Sequence, residues 1–248
     1  MMDYPLSAAE DGIRPLLSDG HFFPRDRTDF SALMTERRAA LPPAEHVRAA
    51  AAMVPHGGLD YAGSGLAWAL QQLPLSSVKA VVIMALVHRE EEESIWLPDY
   101  SGFHTPFGVL PVPREKLDEL AGMGSAFRLG RIPFEEEPCF DLILSALGNL
   151  GFSGRVLPVL FGSENDSLLD PGLKLLENLG GDYFPMVSAN FPEDHENGTI
   201  HGERGKILLK LLNMHFHASP GRWYHGEEPQ YSAALWLESP GTGAEKTE

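Results

Sequence analysis

The chain has 248 residues, 43% of them hydrophobic, which suits one large domain with a substantial core and excludes global disorder. Its 35 acidic residues outnumber 19 Lys and Arg, and the resulting formal charge of −16 argues against a nucleic-acid or anionic-membrane partner, either of which requires a basic face. A single cysteine, Cys139, excludes an intramolecular disulfide and a Cys-based zinc cluster.

The opening stretch MMDYPLSAAEDGIRPLL lacks a basic segment followed by an apolar one, so no signal peptide is expected. No apolar run reaches the roughly 18 residues of a membrane span, and the protein reads as cytoplasmic. In chain order, AAAAMVP (49–55) predicts a buried strand and AGSGLAWALQQL (62–73) a helix. KAVVIMALV (79–87) predicts a second strand, followed by helices over 114–121 and 139–150. RVLPVLFG (155–162) predicts a third strand, 167–179 a Leu-rich helix, YFPMVSANF (183–191) a fourth strand and 203–214 an amphipathic helix. Strands alternating with helices imply βαβ units, hence a single α/β domain with a central, mainly parallel sheet flanked by helices. The domain is expected over residues 1–238, with a flexible Pro/Gly-rich tail over 239–248.

In an open parallel sheet, ligands bind beyond the carboxyl ends of the strands. Three of the four runs deliver polar clusters there: His56 in VPHGGLDYAGSG, His88 to Glu90, and Asn190 to His195. Two histidines on successive strand ends suit a divalent metal held by two imidazoles, with a carboxylate completing the set. A lone histidine at a strand end is more often a hydrogen-bonded loop residue, and the pair alone does not decide. Several other stretches have two readings each. HREEEES (88–94) is either an acidic mouth or a solvated loop, and the acids at 135–137 suit the start of a helix. His215 and His217 share a face if MHFH is a strand, as substrate-lining residues or as packed ones. GSG (63–65) either binds a small anion at a helix N-terminus or permits close packing. Cys139 reads as a buried structural cysteine, and no nucleophile elbow, Walker loop or Rossmann fingerprint is present.

GHFFPRD (20–26), VPHGGLDYAGSGLAWAL (54–70), the strand closing in His88, HTPFGVLPV (104–112), VLPVLFG (156–162) and VSANF (187–191) occur in this order. In order and spacing, the chain resembles the Memo family, also called AmmeMemoRadiSam system protein B, over roughly residues 13–237. The resemblance implies a fold shared with class III extradiol dioxygenases, which open catechol rings with non-haem iron. It places His56 and His88 at metal-ligand positions; imidazoles on rigid strand ends suit divalent iron, copper or zinc, and Tyr61, His217 and His225 are expected around the pocket. The family's third ligand, counted back from Tyr231, falls on Gly221, which has no donor. Its Asp-Phe-x-His stretch reads NFPED, so the acid/base position falls on Glu193 and the aspartate on Asn190. Its Glu-His-Ser-x-Glu motif reads EPCFD, which keeps Glu137 and an acid at Asp141 but replaces the histidine with Pro138. A cysteine common in relatives is His201.

Two readings follow from these departures. In one, Glu193 completes a set with His56 and His88 in a metal-dependent oxidoreductase, with His195, His225 or Glu227 substituting for it or acting as acid/base. In the other, the fold survives as a non-catalytic module that binds a partner protein or small ligand through the same cleft. The family name also implies association with radical-SAM or AMMECR1-type proteins.

Overall fold

The computed structural model describes residues 12–18, 20–45, 47–88, 92–190, 193–194, 199–200, 205–225 and 231–238. Strand β1 (Ile13–Arg14) and helix α1 (Arg27–Ala39) lead into β2 (Ala49–Val54), α2 (Leu59–Gln72) and β3 (Ala80–Leu86). Next come β4 (Ile95–Pro98), β5 (Gly102–Thr105), β6 (Gly108–Pro111), α3 (Arg114–Ala121), β7 (Phe127–Gly130), α4 (Ile132–Glu135) and α5 (Asp141–Asn149). The chain continues through β8 (Arg155–Phe161), α6 (Leu169–Leu179), β9 (Tyr183–Ser188), β10 (Glu193–Asp194) and β11 (Thr199–Ile200). It closes with α7 (Lys206–Phe216), β12 (Arg222–Tyr224) and β13 (Ala233–Leu237).

Eight strands form the main sheet in the order β12-β13-β2-β9-β3-β8-β4-β7. The four apolar runs are its parallel centre, β2, β9, β3 and β8, where all seven residues of β3 are buried. Such strands must be apolar on both faces, because helices cover both. The step from β2 to β3 and the step from β8 to β9 run in opposite directions across the sheet. Right-handed crossovers therefore put α2 and α6 on opposite faces. Helices α1 and α5 pack with α2, and α7 packs with α6. Pro158 and Pro185 lie inside strands, yet β4 pairs β8 only at Leu160 and Phe161, and β2 pairs β9 only from Met186 onward. Each proline thus sits where one flank of its strand has no ladder partner, the position its missing N–H permits.

Helix α2 begins at Leu59, so Gly63 and Gly65 lie inside it rather than at its N-terminus, and the small-anion reading of GSG gives way to packing. A Cβ on Gly65 would stand 2.5 Å from the Tyr231 carbonyl oxygen and 3.0 Å from Pro55 Cγ. Gly65→Ala is expected to cost about 1–3 kcal/mol, read as a lowered urea midpoint, because a backbone carbonyl cannot rotate away as a side chain would. An unchanged midpoint would contradict that packing.

Helix α1 and the strands β12 and β13 have no counterpart in the sequence reading. The alternation of His215 and His217 is not a strand: α7 runs through Phe216, and His217 closes it in a left-handed conformation at φ 50°. Among the described residues no helix is long and apolar enough to cross a membrane. The tail expected from Ser239 lies outside the described residues.

Candidate functional site

Because β9 lies between β2 and β3, the carboxyl ends of all three meet at one crevice. Strand β2 ends at Val54, Pro55 stops the ladder, and His56 follows. Gly57 takes φ +112°, which turns the chain from His56 into α2 at a backbone angle that L side chains rarely adopt. Strand β3 delivers His88 two residues past Leu86, and β9 delivers Ser188 and Asn190. The His56 and His88 rings stand edge to face, with centroids 5.2 Å apart and planes at 89°.

Each ring is held from behind through Nδ1. The buried Glu137 carboxylate accepts from the His88 backbone N–H at 2.6 Å and from His88 Nδ1 at 2.7 Å. Since an ionised carboxylate only accepts, that contact puts a proton on Nδ1, and in the neutral tautomer this selects, Nε2 carries the lone pair. His56 Nδ1 lies 3.0 Å from Ser188 Oγ, whose own proton goes to the Cys139 carbonyl at 3.2 Å. With its one hydrogen committed, the hydroxyl accepts from Nδ1–H, so His56 also presents Nε2. Asn190 locks the loop from the other side: its Oδ1 accepts from the His56 N–H at 3.0 Å and its Nδ2 donates to the His56 carbonyl at 3.1 Å. An aspartate at this position would set a carboxylate oxygen against that carbonyl, so the amide suits the place.

The 5.2 Å between the ring centroids can be set against the separation of two imidazoles on one ion. At about 2.1 Å per nitrogen and a near-tetrahedral angle, two ligating rings have centroids about 5 Å apart. His56 is held neutral: burial, then the neighbouring His88, push its pKa down to about 3 against a ring value of 6.5, with the Ser188 backbone opposing through a hydrogen bond. Because the folded state resists this proton and the unfolded state does not, stability is full above pH 6.5 and declines as pH falls from 6.5 toward 3. The slope for one proton is at most about 1.4 kcal/mol per pH unit. Urea unfolding of metal-free protein across that window is expected to show the loss, and His56→Ala is expected to flatten it. Parallel curves for the two proteins would contradict a His56 held neutral by the fold.

Among the described residues, no group of three or more His, Cys, Asp or Glu side chains is placed to hold a metal ion. Arg89, Glu90, His195, His201 and Glu227 lie outside the described residues, and of Glu193 only the backbone, in β10, is described. Tyr61 is 59% exposed on the first turn of α2, the helix that follows the His56 loop, and stacks on Tyr231 at 5.6 Å. His225 follows β12 at the same end of the sheet, two strands beyond β2, and stacks on Trp223. His217 is not at this crevice. It ends α7 at the other end of the sheet, where His215 and Phe216 line a cleft of about 640 Å³ with Ala49 and Tyr183, the first residues of β2 and β9. Gly221 is likewise distant, because its N–H bonds to the Leu235 carbonyl and a Cβ there would strike Leu237, which pairs with Ala49.

The remaining clusters are accounted for locally. Glu92 pairs with Arg128, and Glu93 accepts from Asn165 Nδ2 at 2.6 Å. Cys139 is buried, and burial pushes its thiol pKa up, which fits a structural role rather than a nucleophilic one. Glu137, which suited a helix start by sequence alone, is instead the acceptor that orients His88. The signal for that role is its retention in EPCFD, since its 49-residue separation from His88 hides the contact.

No curated protein matches the chain. A family model described as Memo-like protein matches residues 14–177, well over half of the chain and inclusive of both histidines and Glu137. The chain belongs to the Memo-like protein family.

Proposed function

We propose that this protein is a metal-dependent, dioxygenase-like oxidoreductase that holds one divalent ion, non-haem iron or copper with zinc as a competitor, between Nε2 of His56 and Nε2 of His88. The observation that carries the reading is the paired Nδ1 anchoring, Glu137 on one ring and Ser188 on the other, of two imidazoles whose centroids stand 5.2 Å apart. Bound there, the ion would supply Lewis acidity and redox chemistry toward an oxygen-bearing substrate. Glu137 fixes the His88 tautomer and places one buried negative charge behind the site.

Two neutral ligands hold a divalent ion poorly, so a third protein donor is part of the proposal. Glu193 is the candidate, with His195 as the acid/base that takes or returns the substrate proton. Support comes from chain reach: Glu193 follows Asn190 by three residues, at most about 10 Å of extended chain, and Asn190 is bonded to His56 itself. The far end of that stretch is anchored too, because the Glu164 carboxylate, just past β8, accepts from the Gly205 and Ile207 amides that open α7. Tyr61 and His225 would line the rim.

Anaerobic loading with ferrous iron or copper, followed by metal quantification, tests the reading. One equivalent is expected in the parent and little in His56→Ala or His88→Ala. No stoichiometric metal in the parent, or a His56→Ala protein that loads equally, would favour a non-catalytic module that binds a partner protein or small ligand through the same crevice.

A further inference from the structure

We propose that Arg14 and Asp141 act as a positioning pair for the two-histidine site, holding both imidazoles through the turn at residues 137–141. The inference rests on reading His56 and His88 as one site. That turn supports both rings at once: the Glu137 side chain takes His88, and the Cys139 carbonyl takes the Ser188 hydroxyl that accepts from His56. Glu137 and Cys139 are two residues apart across a single 3-10 turn over Pro138–Phe140, so any shift of the turn displaces both acceptors together.

One 3-10 turn has little rigidity of its own. Arg14 supplies it from β1. Its Nη2 donates to the Glu137 carbonyl at 2.8 Å, its Nε to the Phe134 carbonyl at 2.7 Å, and its Nη1 to Asp141 Oδ1 at 2.5 Å. Asp141 Oδ2 in turn accepts from the Leu17 and Ser18 amides and from Ser18 Oγ, all at 2.8–2.9 Å. Both side chains are buried, 1% and 0% exposed. The planar guanidinium fixes three directions at once, and a lysine could satisfy only part of this set. A pair that served stability alone would have no need to grip the main chain of the very residue whose side chain orients His88.

The test uses full-length, metal-free protein with isotope-labelled histidine, read by nitrogen NMR near neutral pH. In the parent, His56 and His88 are each expected to show the Nδ1–H tautomer. Arg14→Lys and Asp141→Asn are expected to stay folded by circular dichroism and to move both histidines toward the averaged signal of free imidazole. Asn213→Ala, which removes a 3.0 Å bond from Trp236 Nε1 away from the crevice, controls for general loosening and is expected to leave both signals in place. Folded Arg14→Lys and Asp141→Asn proteins with parental histidine signals would overturn the proposal. Should neither fold, Ser18→Ala, which removes one of three bonds to Asp141 Oδ2, decides by the same criterion.

A Co²⁺ titration of the same proteins separates this inference from the metal reading. A parent that takes up no Co²⁺, with histidines that still respond to Arg14→Lys, would lose the metal and keep the positioning pair. Uptake by the parent that Arg14→Lys weakens about tenfold or more would support both.

Discussion

Replacing Asp141 with alanine is expected to destabilise the protein by about 3–5 kcal/mol, a large share of the stability of a domain of this size. The substitution leaves the buried Arg14 guanidinium without its counter-charge and strips the Leu17 and Ser18 amides of their acceptor. The guanidinium cannot turn to water, because the Arg14 side chain is itself 1% exposed. Urea unfolding at neutral pH gives the measurement. The surface pair Lys79–Asp182 has a similar 2.8 Å separation, yet both side chains are mostly exposed, so Asp182→Ala is expected to cost under about 1 kcal/mol. Equal losses from the two substitutions would mean that burial does not set the value of the Arg14–Asp141 pair.

Glu137→Gln is expected to leave the fold intact and to weaken metal binding by about 10–100-fold, the range typical of groups that orient a ligating histidine. Glutamine Oε1 can still accept from the His88 backbone N–H. Its amide nitrogen, however, is a donor, and it meets His88 Nδ1 where the carboxylate accepted at 2.7 Å. The ring answers by moving its proton to Nε2, which removes the lone pair the metal requires. Competition against a chelator, with zinc as a redox-silent probe, reads the effect. Affinity equal to the parent's would show that the Glu137 contact does not select the His88 tautomer.

The parallel centre of the sheet was legible because β2, β3, β8 and β9 are short aliphatic runs buried on both faces, a pattern that local composition carries. His56 and His88 were legible as strand-end residues for the same reason. The residues that orient them were not. Glu137 lies 49 positions from His88, and Ser188 lies 132 from His56, so both contacts are set by the tertiary fold, the second by β9 inserting between β2 and β3. Counting from Tyr231 to Gly221 failed for a related cause: distance along the chain says nothing of register, and the β12–β13 pairing carries Gly221 away from the crevice toward Leu237. For His215 and His217, two-residue alternation competed with the Leu208, Leu211 and Leu212 spacing of a helix, and burial of the leucines decided. Helix α1 had a readable start in Asp26, whose side chain accepts from the Thr28 and Asp29 amides, with Phe30 and Met34 one turn apart on its buried face.

X-ray absorption of the protein loaded with one equivalent of zinc tests the two-histidine site most directly. Two imidazole nitrogens at about 2.0–2.1 Å are expected in the parent, and one in His88→Ala if any metal remains. A metal shell without imidazole scattering, or no stoichiometric zinc at all, would contradict a joint site at His56 and His88.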